Sequence, residues 1–360
     1  MENIVIRFGV FKRTYSPMVN ALCTKTFKRG YMENVAPRES ERKIHPYKCI
    51  HPWRSLAAFS NDLLDNVIYN KDGLVALNKP YGICNNTESS KAPSIHFIPN
   101  SVDYILDDAL PYISKELGYS KLTVVRKPEK YMSGVTLLAA DSKVEKAIEV
   151  SLRRANNFTR TLWVLTNRVP NQIKGKERLA IKQVPTQDTG HLRPTIVSSW
   201  HINEMKRRDV KILNVEYQVL SNSTLNLSSL IQIKSSTLKW HAVRLFAATW
   251  LYAPILGDNL YASAIQKVGD VYTRIDPSLI VYRKSKLDPT LLTLLNIKPS
   301  QQDIIPAHIH LRSMVLPWFV EKHKDLKIEA PLLPPFDWSC RQLQFKYFME
   351  NETELCKRSN

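Results

Sequence analysis

The tightest restriction on how this chain folds lies between Val124 and Ala139. Val124-Val125 and Gly134 to Ala139 are apolar runs of β-favouring composition, and Arg126, Lys127, Glu129 and Lys130 stand between them. Two such runs joined by a short polar loop pack as neighbouring strands. That would hold one carboxylate and three cations stiffly at the rim of a sheet. An ordinary solvated hairpin has the same composition, so the loop by itself leaves a site and a plain turn both open.

Charge narrows the choice of partner. The 360 residues contain 51 Lys and Arg against 33 Asp and Glu, a formal net charge of +18. Such an excess favours a polyanion, with nucleic acid ahead of a membrane surface. No apolar run approaches the ~20 residues of a membrane-spanning helix, and no basic amphipathic helix suited to lipid is evident. Five cysteines, Cys23, Cys49, Cys84, Cys340 and Cys356, fall at irregular spacing and in odd number. This argues for a reducing compartment and against a disulfide framework or a zinc module.

Residues 1–32 carry Arg7, Lys12, Arg13, Lys25, Lys28 and Arg29 with a single acid, Glu2. That Arg-rich, acid-poor, hydroxyl-bearing composition is expected of a mitochondrial transit peptide; a basic arm that touches RNA directly is the other reading. Residues 33–53, polar and broken by Pro37, Pro46 and Pro52, read as a linker, and residues 336–360 as a C-terminal tail. The folded domain is then 54–335.

Within it, Leu56, Phe59, Leu63 and Leu64 mark a short amphipathic helix, and Asn70 to Gly73 a hairpin turn before the strand Leu74 to Leu77. Tyr104 to Leu117 reads as a helix capped by Gly118, which Pro111 is expected to kink or restart. Ser142 and Glu145 form a capping box for a helix that turns Val144, Ala147, Ile148 and Leu152 inward. Strands are expected over 161–166, 215–220 and 229–234, the first two separated by a long polar connection. A helix opening at 237–244 would put His241 and Arg244 on one face near its free amides, where an anion is drawn. Gly257-Asp258 reads as a structural turn, and sheet segments near 307–311 and 329–332 finish the core. Hairpin-spaced strands outnumber helices and do not alternate with them. The fold class is therefore α+β, with a large mixed, mainly antiparallel sheet and flanking helices.

Several segments, in order, resemble the RluA-type pseudouridine synthases. Leu77-Asn78-Lys79-Pro80-Tyr81-Gly82 is similar to that family's strand ending in Asn/Asp-Lys-Pro-x-Gly. Lys127 to Ala139, with Ser133-Gly134, resembles its central motif of Arg-Leu-Asp, two variable residues, Thr-Ser-Gly and an apolar strand. Thr237-Leu238-Lys239-Trp240-His241-Ala242-Val243-Arg244 is similar to its Thr-Gly-Arg-Thr-His-Gln-Ile-Arg, with Pro254 to Tyr261 following. Ala307-His308, Leu316-Pro317 and Glu329-Ala330-Pro331-Leu332 resemble its closing signals. The ordered set spans residues 54–335, and the wording around Val125 to Pro128 and Pro306 to Leu311 is nearest to an animal mitochondrial branch. The resemblance implies the pseudouridine synthase catalytic-domain fold around an RNA-binding cleft. It also implies cofactor-free isomerisation of a flipped uridine, mitochondrial mRNA or rRNA as partner, and the mitochondrial matrix as location.

Registered on Ser133-Gly134, the family's catalytic Asp falls on Glu129, with Arg244 as its ion-pair partner, and the family's base-stacking Tyr falls on Leu162. Glu129 sets the carboxylate one methylene further out, and Leu162 offers no aromatic face, so Tyr131, Trp163 or Trp240 is expected to supply the stack. Arg126, Lys127, Lys130, Lys239 and His241 complete the expected RNA-binding and base-binding set; no metal and no cofactor is expected. His308 and His310 share a strand face but suggest no third metal ligand. Two functions stay open: an active synthase using Glu129, and a binding protein in mitochondrial RNA or ribosome assembly that keeps the cleft with little chemistry.

Overall fold

The chain's computed structural model describes residues 44–84, 98–155, 158–187, 191–280 and 286–348. By contacts the chain divides into Met1–Lys43 and Ile44–Asn360, and the fold below is that of the second unit. The region read as a transit peptide, Cys23 and Cys356 lie outside the described residues.

Thirteen strands are formed among the described residues: β1 (Val67–Lys71), β2 (Leu74–Lys79), β3 (Thr123–Arg126), β4 (Ser133–Ala139), β5 (Arg160–Leu165), β6 (Lys174–Pro185), β7 (Leu192–Val197), β8 (Val210–Asn222), β9 (Ser229–Ser235), β10 (Ile265–Val268), β11 (Val271–Arg274), β12 (Ile309–Glu321) and β13 (Lys324–Glu329). The main sheet runs β1-β2-β4-β12-β5-β9-β8-β6-β7, with β3 paired to β4 and β13 to β12; β10 and β11 make a separate hairpin. Every pairing is antiparallel except β4 with β12, so the sheet is mixed and mostly antiparallel, as expected.

The exceptional pair explains the Ser-Gly that opens β4. Ser133 lies opposite His310 and Gly134 opposite Leu311. A side chain on Gly134, whose φ is +115, would run into the Leu311 carbonyl oxygen, so only glycine permits this approach. The Ser133 hydroxyl bonds His310 Nδ1 at 2.9 Å, and His310 Nε2 reaches the Ala330 carbonyl at 3.2 Å, tying β4 and the end of β13 to β12.

Strand alternation separates the two faces of the sheet. Leu162 and Val164 of β5, Ile231 and Ile233 of β9, and Leu213 and Val215 of β8 enter one apolar core with Ala242, Val243 and Phe246. A second core joins Leu165, Leu230 and Leu291 to Phe336, Cys340, Leu343 and Phe345, and a third packs the helices Leu56–Asp65 and Leu106–Glu116 on Val75, Leu77 and Leu138.

The structure differs from the sequence reading in several places. The polar connection before β8 contains β6, β7 and the helix Ile202–Arg207. Lys174 to Arg178 of β6 are largely exposed and charged, which conceals the strand whose buried part is only Leu179 to Ile181. Asp141, not Ser142, caps the helix Ser142–Arg154 by accepting from Val144 N, and Ser151 rather than Ala147 turns inward. The helix Leu106–Glu116 runs through Pro111 unbroken. The helix after β9 begins only at Ala242, because Trp240 and His241 are in left-handed backbone, and it widens into a π turn over Phe246–Trp250. Apolar packing also reaches beyond 54–335: Tyr47 is fully buried on one side, and the helix Phe336–Gln342 supplies Phe336 and Cys340 on the other.

Tyr47 and His308 both bond the Ser339 hydroxyl, at 2.8 and 2.6 Å. Burial pushes His308 down to about 4 and His310 to about 3. Both are basic groups with depressed folded-state values, so the unfolded chain takes up protons first, below its ordinary value near 6.5. Stability is therefore expected to fall as pH drops from 6.5 towards 4, by roughly 2 kcal/mol per imidazole at pH 5. Urea midpoints at pH 7 and pH 5 measure this, and His310→Gln should flatten the slope; equal slopes in both proteins would contradict it.

Candidate functional site

The β3–β4 loop borders a cavity. Met132 N bonds the Glu129 carbonyl at 3.0 Å, closing a tight turn, and Gly82 N bonds the Lys130 carbonyl at 2.9 Å. The Asn-Lys-Pro-Tyr-Gly segment thus braces the loop from behind. Beyond it sits a cavity of about 180 Å³ lined by Tyr81, Glu129, Lys130, Tyr131, His241, Arg244 and Asn259 among others. That is below the size of a drug-scale pocket and suits one small ring.

Arg244, one turn into the helix after β9, is the anchor. Its Nε donates to Asp258 Oδ2 at 3.0 Å and an Nη to Oδ1 at 2.5 Å, with side-chain exposures of 7% and 0%. Asp258 Oδ1 also accepts from Leu260 N and Tyr261 N, at 2.8 and 3.1 Å. Burial alone would raise Asp258, but the guanidinium and these amides outweigh it and hold the carboxyl below its usual range. Gly257 lets the turn pass against the chain before β12, since a Cβ there, at φ +79, would collide with the Pro306 carbonyl. The Gly-Asp turn read as structural therefore also positions the central cation, and Asp258 is a site residue that the sequence reading missed.

Glu129 is different in kind. Its side chain is 40% exposed, and His241 Nε2 lies 3.6 Å from its carboxylate. Burial raises the carboxyl above its ordinary value, opposed by a hydrogen bond from Tyr131 and by the charge of Arg244. The expected direct Glu129–Arg244 pair is not the one formed: the guanidinium is committed to Asp258. Arg244 instead acts on Glu129 through space and lies over the Tyr131 ring, 4.5 Å from its centre. Burial and the neighbouring Glu129 carboxylate push Tyr131 well above the usual phenol range. His241 completes the group, with Nδ1 2.9 Å from the Tyr261 hydroxyl and its ring edge-on to Tyr131 at 5.6 Å.

The remaining expected residues divide. Lys130, Tyr131 and His241 line the cavity with Glu129 and Arg244. Lys127, Lys239 and Arg126 line a neighbouring hollow of about 410 Å³ with Arg160 and Leu238. Arg126 is also engaged with Glu149 at 2.6 Å. Leu162 does not reach the cavity: it is fully buried in β5, and strand alternation turns it into the core. Trp163, one residue on, faces the opposite side of the sheet, and Trp240 stacks beneath Lys211 Nζ at 4.5 Å. Of the three aromatics considered, Tyr131 is the one at the site. Both imidazoles of the His308/His310 pair are spent on hydrogen bonds, and among the described residues no group of three or more His, Cys, Asp or Glu is arranged to hold a metal. No helix of the described residues is long and apolar enough to cross a membrane.

No family model matches the chain. Individual proteins do. Mitochondrial pseudouridylate synthase RPUSD4 of Mus musculus is 25% identical over 319 residues, 86% of this chain and 74% of the relative. The mitochondrial mRNA pseudouridine synthase Rpusd3 of Mus musculus is 27% identical over 276 residues, 75% of each. The wording near Val125 and Pro306 pointed to the third of the animal mitochondrial RNA pseudouridylate synthase domain-containing proteins; the fourth matches over more of the chain. The solved human RNA pseudouridylate synthase domain containing 4 superposes with a TM-score of 0.59 at 22% identity, over 81% of this chain and 97% of that one, which establishes the pseudouridine synthase fold.

Removing Asp258 would leave a buried guanidinium unpaired. Asp258→Ala is expected to cost about 3–5 kcal/mol, and Arg244→Met with Asp258→Leu together less than either change alone. Denaturant unfolding of Asp258→Ala, both other single variants and the double variant measures the coupling; a single-variant loss under about 1 kcal/mol would contradict it.

Proposed function

We propose that this chain, a relative of the RluA-type pseudouridine synthases, binds RNA and isomerises a uridine to pseudouridine with Glu129 as its reacting carboxylate. The observation that carries the reading is the contrast between two carboxylates beside one arginine. Asp258 is sealed and held ionised, whereas Glu129 is exposed to a cavity the size of one ring. Groups pushed apart in this way take different roles, one structural and one reactive. A base flipped into the cavity would meet Tyr131, Lys130 and Glu129 together. No residue in this scheme calls for a cofactor.

Lys127, Lys130, Lys239 and Arg126, at the cavity or in the hollow beside it, supply positive charge for the RNA backbone. Mitochondrial RNA, as mRNA or rRNA, is the partner we propose, because the curated relatives are named as mitochondrial synthases and one as acting on mRNA. The basic, acid-poor residues 1–32 suit import to the matrix.

A second reading keeps RNA binding without turnover, in RNA or ribosome assembly. Two observations favour it: Arg244 pairs with Asp258 in a bidentate contact and not with Glu129, and Leu162 brings no aromatic face to the cavity. The readings part on one substitution. Glu129→Gln should abolish pseudouridine at the target position in base-resolution maps of mitochondrial RNA, while RNA affinity stays within about threefold. An unchanged map would sink the synthase reading.

The active protein should also show an acid limb in kcat/KM above the ordinary carboxylate range, since burial raises Glu129. Tyr131→Phe removes the hydrogen bond that favours the charged form, so the limb should move to still higher pH. A limb that stays in place would remove Glu129 from the rate.

A further inference from the structure

The residues that alternate with the core on β5, β8 and β9 do not face empty solvent. Thr161, Trp163, Asn214, Glu216, Gln232 and Lys234 form the floor of an open groove of about 1420 Å³ on the side of the sheet away from Leu162, Ile233 and the Arg244 helix. Its walls hold eight Lys and Arg but only four Glu. Three of those acids are already neutralised: Glu149 by Arg126 and Arg153, Glu216 by Lys234 and Lys176, and Glu329 by Lys327. Arg160 and Arg178 make no ion pair among the described residues, and Arg312 spends its guanidinium on the Ala330 carbonyl. Burial makes both Arg160 and Arg312 less ready to hold their protons, and Arg126 adds repulsion at Arg160. Cations crowded in this way gain when an anion arrives.

The groove also offers aromatic surface among the charges. Trp163 lies beneath Arg312, 5.3 Å from ring centre to guanidinium, and meets Tyr347 edge-on at 6.0 Å. Its buried indole N–H has no acceptor among the described residues. Phosphate-attracting cations interleaved with rings that stack on bases are what single-stranded nucleic acid binds, irrespective of sequence. A basic hollow borders this groove, and two of its lysines are close in sequence to residues of the Glu129 cavity. The hollow that holds Lys127 and Lys239, sequence neighbours of Glu129 and His241, shares Arg126, Arg160 and Ser236 with the groove.

We propose that the far face of the sheet is a second RNA-binding surface, which holds single-stranded RNA flanking the nucleotide delivered to the Glu129 cavity. The inference rests on the RNA-binding reading above but not on catalysis. One strand would pass from the cavity over Lys127 and Lys239, around the Arg126–Arg160 edge, and lay its bases near Trp163.

Binding of an unstructured single-stranded RNA of about 30 nucleotides by the full chain, followed by fluorescence anisotropy across a salt series, tests it. Arg178→Glu, at an exposed position, should weaken binding about tenfold and reduce the salt slope by at least about 0.7, one phosphate contact. Trp163→Leu should also weaken it about tenfold, while Trp163→Phe, which keeps a stacking face, should stay within about twofold. Lys130→Glu, at the cavity, serves as the reference. If Lys130→Glu weakens binding but Arg178→Glu and Trp163→Leu do not, the groove proposal fails and the RNA reading stands. If the unaltered chain shows no measurable affinity, both fail.

Discussion

The bidentate contact between Arg244 and Asp258 is the interaction on which the rest of the site depends. It joins the helix after β9 to the Gly257 turn, and its guanidinium lies over Tyr131, which belongs to the β3–β4 loop. Three segments far apart in sequence are thereby held to one geometry. An ion pair sealed at 7% and 0% exposure is tolerable because its geometry is bidentate and two backbone amides also donate to the carboxylate. The rigidity this gives is what a small cavity needs if its walls are to present a carboxylate and a ring at fixed positions.

With Arg244 so committed, the second carboxylate is released from a structural duty. Glu129 stands where the cavity opens, carries a raised affinity for its proton, and touches the imidazole of His241 rather than the guanidinium. The extra methylene of Glu over Asp has a visible setting here: the chain turns tightly through Glu129 to Met132, and the longer side chain extends from that turn towards His241 and Tyr131. His241 reaches this position only because it and Trp240 adopt left-handed backbone before the helix begins.

The sheet carries two chemistries on opposite sides because strand alternation enforces it. On β5, Leu162 enters the core that seats the Arg244 helix, while Trp163 opens onto the basic groove. An aromatic sought for the cavity therefore stands one residue away from the expected position and on the wrong side of the sheet for it. Tyr131 takes the place beside the carboxylate from a different element altogether.

Much of this was legible from local pattern. The apolar runs around 124–139 sufficed for β3 and β4, hairpin-spaced strands for the fold class, and the resemblance to the pseudouridine synthases for setting Glu129, Lys130, Tyr131, His241 and Arg244 in one locality. These follow from composition, spacing and an ordered set of motifs. Other features depended on tertiary contact. Charged, solvent-facing alternation hid β6, and exposure along a strand has no signature until the neighbouring strand covers its other half. Asp258 read as a turn residue because nothing local shows that the arginine it binds lies fourteen positions earlier. Tyr47 and Phe336 looked like linker and tail, since isolated aromatics in polar surroundings reveal burial only once the core closes over them. Sequence by itself determined which chemical groups the chain brings and the apolar strands that carry most of the core. The folded structure decided which carboxylate is sealed and which is free, because burial and the choice of ion-pair partner are properties of three-dimensional neighbours.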